Sequence, residues 1–204
     1  MHKAEGPMNR FYGERKKLLL GDLHGTVLEI GAGAGANMPF YPKEIRLAAV
    51  EPNPYMHPYL LSEARHFGIA VDVIRGKGEA LDIADGSVDA VVCTLVLCSV
   101  SDPALVLNEI KRVLKPGGRF TFIEHVIAQP GTVQRGIQNG IQPVWSCLAD
   151  GCQPNRDTQR SILDSGFQRV ECESFTVPRM LLASTHIAGY AIKGDLQGAA
   201  PNIN

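Results

Sequence analysis

Thr26-Val27-Leu28-Glu29-Ile30-Gly31-Ala32-Gly33-Ala34-Gly35-Ala36-Asn37 is a short apolar run that breaks into alternating glycines. A run of that length stopped by glycine predicts a buried strand over 26–30. The glycines let the main chain turn tightly and let a ligand approach it, at the strand end where open α/β sheets bind their ligands. Residues 45–50 predict a second strand ending at Glu51. Asn53-Pro54 then supplies a helix cap with proline at the first helical position. That helix is expected to run to Phe67, with Met56, Leu60, Ala64 and Phe67 on one face, Gly68 as its stop and Pro58 bending its first turns.

Further along, 69–74, 88–96 and 119–126 read as strands, and 103–114 as a helix capped by Asp102 with Leu107, Ile110 and Leu114 facing inward. Lys115-Pro116-Gly117-Gly118 is a sharp turn. Residues 128–155 hold four glycines and three prolines and are expected to be irregular. A helix over 157–165 and strands over 168–175 and 186–193 complete the pattern, and Phe11-Tyr12 opens an N-terminal helix. Strands separated by helices or crossovers imply an α/β fold, a mostly parallel sheet with helices on both faces and a late antiparallel pair at one edge. Residues 10–193 are expected to form a single domain, with 128–156 as a substrate-facing insertion and 1–9 and 194–204 as tails.

The chain has 204 residues, 45% hydrophobic and 20% charged, which excludes a disordered protein. Twenty basic side chains against 21 acidic ones leave a formal charge of -1, so no pull toward nucleic acid is expected. No apolar run approaches the ~20 residues that span a bilayer, and the polar N-terminus predicts neither a signal peptide nor an integral membrane segment. Five scattered cysteines are expected as reduced thiols in a cytoplasmic setting. Nothing in the composition addresses oligomeric state.

Glu51, at the end of the second strand, is placed to accept hydrogen bonds from two ribose hydroxyls. Gly31, Gly33 and Ala36 also fit the dinucleotide spacing G-x-G-x-x-(G/A). A pyrophosphate, however, wants a well-formed helix N-terminus, and Pro39 and Pro42 permit only a turn or so. Glu29 sits badly beside a diphosphate and suits a cationic amino group. S-adenosylmethionine has an amino-acid end, a ribose and no phosphate, and it meets all three conditions. Its candidate contacts are Glu29, Gly31, Ala32, Gly33, Gly35, Asn37, Glu51 and Pro52, with Gly78, Glu79 and Ala80 at the adenine edge and Thr94 and Leu95 beside the donor. A nicotinamide-dependent oxidoreductase and a non-catalytic nucleotide-binding module are the alternatives from other classes.

The 29–35 loop, Glu51, Glu79-Ala80 and Leu114-Lys115-Pro116-Gly117-Gly118 resemble the class I S-adenosylmethionine-dependent methyltransferases. Over about 11–193 the chain is similar to the mammalian membrane-associated thiol S-methyltransferases, the methyltransferase-like 7 group. That similarity rests on Val92-Cys93-Thr94-Leu95-Val96-Leu97-Cys98-Ser99-Val100, Glu124-His125-Val126, Trp145 through Asp150-Gly151-Cys152, His186 and Gly189-Tyr190-Ala191. The resemblance implies a Rossmann-like sheet of seven strands with an antiparallel last strand, and methylation of a small-molecule thiol. An oxygen or carbon methyltransferase of a quinone-like or lipid acceptor is the alternative within the fold. Those relatives carry an apolar N-terminal anchor that this sequence lacks, so membrane attachment is not expected to carry over.

Methyl transfer from a sulfonium is a direct displacement in which the protein aligns the reactants and excludes water. No metal is expected. A thiol of pKa ~8.5 is already a few per cent thiolate near neutrality and needs no base. If a base exists, His125 and Asp150 are the catalytic candidates. Cys98 and Cys152 are expected to be packing residues, because the donor removes any need for covalent catalysis; Cys93-x₄-Cys98 and Cys147-x₄-Cys152 only loosely evoke a zinc site, with no C-x-x-C spacing. Tyr12 either closes over the donor or simply packs. Arg15, Lys16 and Lys17 read as a solvated face.

Overall fold

The computed structural model describes residues 7–149, 151–177, 180 and 183–195. Its strands are β1 (Thr26–Ile30), β2 (Arg46–Val50), β3 (Ala70–Ile74), β4 (Val88–Thr94), β5 (Leu114–His125), β6 (Arg169–Thr176) and β7 (Thr185–Ile192). They form one seven-stranded sheet in the order β3-β2-β1-β4-β5-β7-β6. β1 to β5 pair in parallel, and β7 runs antiparallel to both of its neighbours. Ile30 therefore lies between Val50 of β2 and Cys93 of β4. The order of strands reverses there, so the connections leaving β1 and β4 diverge and open a crevice at the carboxyl end of the sheet. The glycine turn falls at that crevice.

The helices are α1 (Pro7–Leu20), α2 (His57–Phe67), α3 (Pro103–Val113), α4 (Val133–Leu148) and α5 (Thr158–Leu163). Strand side chains alternate between faces. Leu28, Ile30, Val91 and Cys93 pack under Val106 and Ile110 of α3 and Ile162 of α5, whereas Val27, Leu47, Ala49 and Val92 pack under Leu60 and Ala64 of α2 and Leu20 of α1. Each valine, leucine or isoleucine among them, once fully buried, contributes about 1.5–3 kcal/mol. Asp102 caps α3 by accepting from the N–H groups of Ala104 and Leu105.

Four local expectations are revised. α2 begins at His57, so Pro58 lies in the first turn, where its missing N–H costs no bond, and it bends nothing. Asn53 instead closes a turn before the helix, its Oδ1 accepting from Tyr55 N–H at 3.1 Å. α1 starts at Pro7, inside the stretch expected as a tail. β4 stops at Thr94, because Leu95 takes φ 58, a left-handed backbone that leaves the strand. The largest change is α4, a 16-residue helix where irregular chain is expected despite Gly136, Gly140 and Pro143. Thr132 caps it, and buried Gln138 holds it down by accepting the N–H of Ala128 at 2.8 Å.

Candidate active site

At the crevice, Gly31 and Gly33 take φ 68 and 54, which a residue with a Cβ adopts only under strain. The turn is pinned from beside it: Gly31 N–H donates to Val50 O at 2.8 Å, and Gly33 N–H donates to Glu51 Oε2 at 2.8 Å. Asn53 N–H donates to Glu51 Oε1 at 2.8 Å, so each carboxylate oxygen holds one backbone donor and keeps a lone pair for another. Beside Glu51 opens a cleft of about 390 Å³. Ile30, Val50, Leu95, Val96 and Val100 form its apolar walls, and Gly31, Pro52, Gly78, Ser99 and Ser101 complete them, with Glu51, Lys77 and Glu79 as charged groups. Glu79 is positioned by Ser101 N–H, which donates to its Oε1 at 2.7 Å. Ala32, Gly33, Gly35, Asn37, Thr94, Ala80 and Glu29 stand outside this lining. Ala32 packs into the core, Gly35 lies against Met38 and Leu60, and Ala80 is exposed.

Glu29 is 2% exposed, and both its oxygens are engaged: Asn37 Nδ2 donates to Oε1 at 2.8 Å and the Tyr41 hydroxyl to Oε2 at 2.9 Å. Burial raises its pKa to about 7 against the lowering by these two donors. The same Asn37 amide reaches Thr94 Oγ1 at 3.1 Å, joining the glycine turn to the end of β4. Asn37 Oδ1, also buried, has no hydrogen-bond partner among the described residues. Lys16 is not on a solvated face. It is 2% exposed, its Nζ donates to Ala36 O at 3.2 Å, and burial lowers its pKa to about 8 while Glu29 opposes the fall. Tyr12 packs, with its hydroxyl 2.7 Å from His186 Nε2 and its ring edge-on to Phe175.

The strained Leu95 is fixed by its N–H donating to Ile123 O at 2.8 Å. The next two N–H groups, of Val96 and Leu97, donate to Oε1 of fully buried Glu124 at 2.9 and 3.0 Å. Burial raises the Glu124 pKa to about 7, and its Oε2 has no partner among the described residues. His125 ends β5 at 4% exposure, its Nε2 2.9 Å from Cys152 Sγ. Trp145 Nε1 donates to the same sulfur at 3.4 Å. The Cys152 pKa falls to about 4, chiefly through the hydrogen bond from Cys98 and secondarily through His125. Arg156 bridges Leu97 O and Val100 O at 2.6 and 2.7 Å, setting a guanidinium beside these thiols. Asp150 lies outside the described residues.

The description "Methyltransferase domain" matches residues 28–122. Thiol S-methyltransferase TMT1A of Homo sapiens is 39% identical over 172 residues, 82% of this chain and 70% of its own. Thiol S-methyltransferase TMT1B of Rattus norvegicus is 37% identical over 94% of this chain and 80% of its own. This chain belongs to that methyltransferase family. The methyltransferase also shares its fold with the YcgJ protein of Bacillus subtilis (TM-score 0.71, 16% identity, 92% of this chain and 99% of that one). A methyltransferase of Aquifex aeolicus superposes similarly (TM-score 0.61, 19% identity, 93% and 95% covered). Its methyl donor is S-adenosylmethionine.

The methyltransferase's own residues fit that donor. The apolar cleft beside Glu51 suits a nucleoside, the Glu51 lone pairs suit ribose hydroxyls, and the unpartnered Asn37 Oδ1 suits a cationic amine. No helix among its described residues is long and apolar enough to cross a membrane. Sequence reasoning missed Tyr41, Lys16, Glu124 and Arg156 in this site. Only the odd placement of Glu124 on an apolar strand offered a signal for any of them.

Proposed function

We propose that this enzyme methylates the sulfur of a small thiol and that residues 10–193 act as one domain in the cytoplasm. The observation that carries the acceptor is the 36–39% identity, over most of the chain, to proteins named thiol S-methyltransferase. S-adenosylmethionine, when bound, supplies an electrophilic methyl on a sulfonium. The rest falls to the chain. Glu51 holds the ribose, with Gly31, Gly33 and Pro52 closing around it, and Gly78, Glu79 and Ala80 flank the adenine. Asn37 and Thr94 receive the amino-acid end, and Glu29 positions Asn37 rather than touching the donor. Leu95, Ala32 and Gly35 shape the turn behind it.

The state of His125 favours sulfur over oxygen. Its Nε2 is engaged with Cys152 Sγ at 2.9 Å, so it is poorly placed as a free base. A phenol of pKa ~10 would need one, whereas a thiol of pKa ~8.5 ionises far enough by itself. In this reading His125 acts on the acceptor side through Cys152. Asp150, next to Gly151, is assigned by its place in the sequence to orient the acceptor. Residues 128–156, mostly α4, form the acceptor wall. The net charge of -1 supports a small molecule rather than nucleic acid, and the free cysteines at 93, 98, 147, 152 and 172 support a reducing compartment.

The test is methyl transfer from S-adenosylmethionine to a panel of alkyl and aryl thiols, phenols and a quinol, read by product mass. S-methylated product is expected. Turnover of a phenol or quinol with none of any thiol would overturn the reading.

A further inference from the structure

We propose that Cys98, His125 and Cys152 form a three-ligand site for one thiophilic divalent ion of the zinc class. The three residues come from separate places: Cys98 from the turn after β4, His125 from the last position of β5 and Cys152 from the segment after α4. Their two sulfurs and one ring nitrogen nonetheless lie within 4.8 Å of one another. A tetrahedral zinc with Zn–S of about 2.3 Å and Zn–N of about 2.0 Å sets its ligand atoms roughly 3.5–3.8 Å apart. The His125 Nε2 to Cys152 Sγ separation, now 2.9 Å, has to open by less than an ångström. That is within the reach of side-chain rotation, because Cys152 is only half-buried.

The donor set is the right chemistry. Two thiolates and an imidazole suit zinc, and a Cys₂His set leaves the fourth position open, as in catalytic rather than structural zinc sites. Supporting groups are in place: the Trp145 N–H toward Cys152 Sγ at 3.4 Å orients one ligand, and buried Glu124 holds the turn that leads to Cys98 through Val96 and Leu97. Charge balances as well. A divalent ion neutralises two thiolates, and the Arg156 guanidinium, held by Leu97 O and Val100 O, offsets one further anion. An acceptor thiol entering the open position would bind as thiolate, giving its proton to solvent and displacing a water. This use rests on the thiol reading above, whereas the ion site itself does not.

The 204-residue chain, reduced with a phosphine and freed of metal with a chelator, is titrated with zinc ion alone by calorimetry. Cobalt(II) is then titrated in its place and followed by absorbance. One ion per chain is expected, with a thiolate-to-cobalt charge-transfer band. Cys98→Ser and Cys152→Ser should each weaken binding by more than about tenfold, and His125→Ala should shift the cobalt spectrum. S-adenosylhomocysteine affinity of Cys152→Ser, measured alongside, reports an intact fold. Absence of saturable zinc binding, or unchanged binding in the Cys98→Ser/Cys152→Ser double variant, overturns the site. Zinc binding with no S-methylated product from any thiol would sustain the ion site and defeat the thiol reading instead.

Discussion

Glu51 Oε2 accepts the backbone N–H of Gly33 at 2.8 Å, so the carboxylate at the end of β2 holds the turn that leaves β1. Strand end and glycine turn are thus one unit, shaped before any ligand arrives. Glu51→Ala removes both the lone pairs offered to the ribose and this anchor. S-adenosylhomocysteine binding should weaken by about 1.5–3 kcal/mol, the range of a charge-assisted hydrogen bond. Calorimetry on a variant that still melts cooperatively checks this, and an unchanged dissociation constant would remove Glu51 from the site.

The two glycines of the turn should respond differently to alanine. A Cβ at Gly31 would lie 2.6 Å from Val96 Cγ2, whereas at Gly33 no heavy atom lies within 4 Å. Both positions carry the left-handed backbone penalty of about 1–2 kcal/mol. Only Gly31→Ala adds a steric conflict with a stiff, branched side chain. Thermal melts should show Gly31→Ala the less stable of the pair, and equal melting temperatures would contradict the packing described.

Two buried charges beside the turn give opposite pH dependences. The Glu29 carboxyl titrates near 7 when folded against an ordinary 4.5, so between those values the folded protein keeps a proton that the unfolded chain has released. Its contribution is complete below about 4.5 and is lost as pH rises through about 7. Lys16 is lowered from 10.5 to about 8, so across that interval the unfolded chain binds the extra proton and stability from this group rises with pH. Urea denaturation of Glu29→Gln should show a flatter decline over the acid window than the parent. An identical pH profile would mean that Glu29 titrates normally.

The buried amide of Gln138 ties α4 to the segment that precedes it. Gln138 is 0% exposed, and its Oε1 satisfies the N–H of Ala128. Gln138→Leu leaves that donor buried without a partner and should cost about 1–3 kcal/mol in urea denaturation. A cost below that range would show that water reaches Ala128.

Local pattern was enough to read most of the sheet and the glycine turn, because a strand stopped by glycine and a cap before a helix are written in neighbouring residues. α4 was legible only in part. Val133, Ile137, Ile141, Val144 and Leu148 repeat at helical spacing, but Gly136, Gly140 and Pro143 argue against a helix on propensity alone. Contacts from outside the segment, such as Gln134 Nε2 to Ser184 Oγ at 2.7 Å, tipped the balance.

What the chain's order of residues settled is therefore the α/β alternation and the position of the glycine turn, each a matter of spacing within a few residues. Only folding could bury Lys16 against Ala36, engage Glu29 with Tyr41 and Asn37, and gather Cys98, His125 and Cys152 within 4.8 Å. The physical reason is that burial and through-space contact between segments far apart in the chain decide the charge and chemistry of those groups, and neither is encoded in local periodicity.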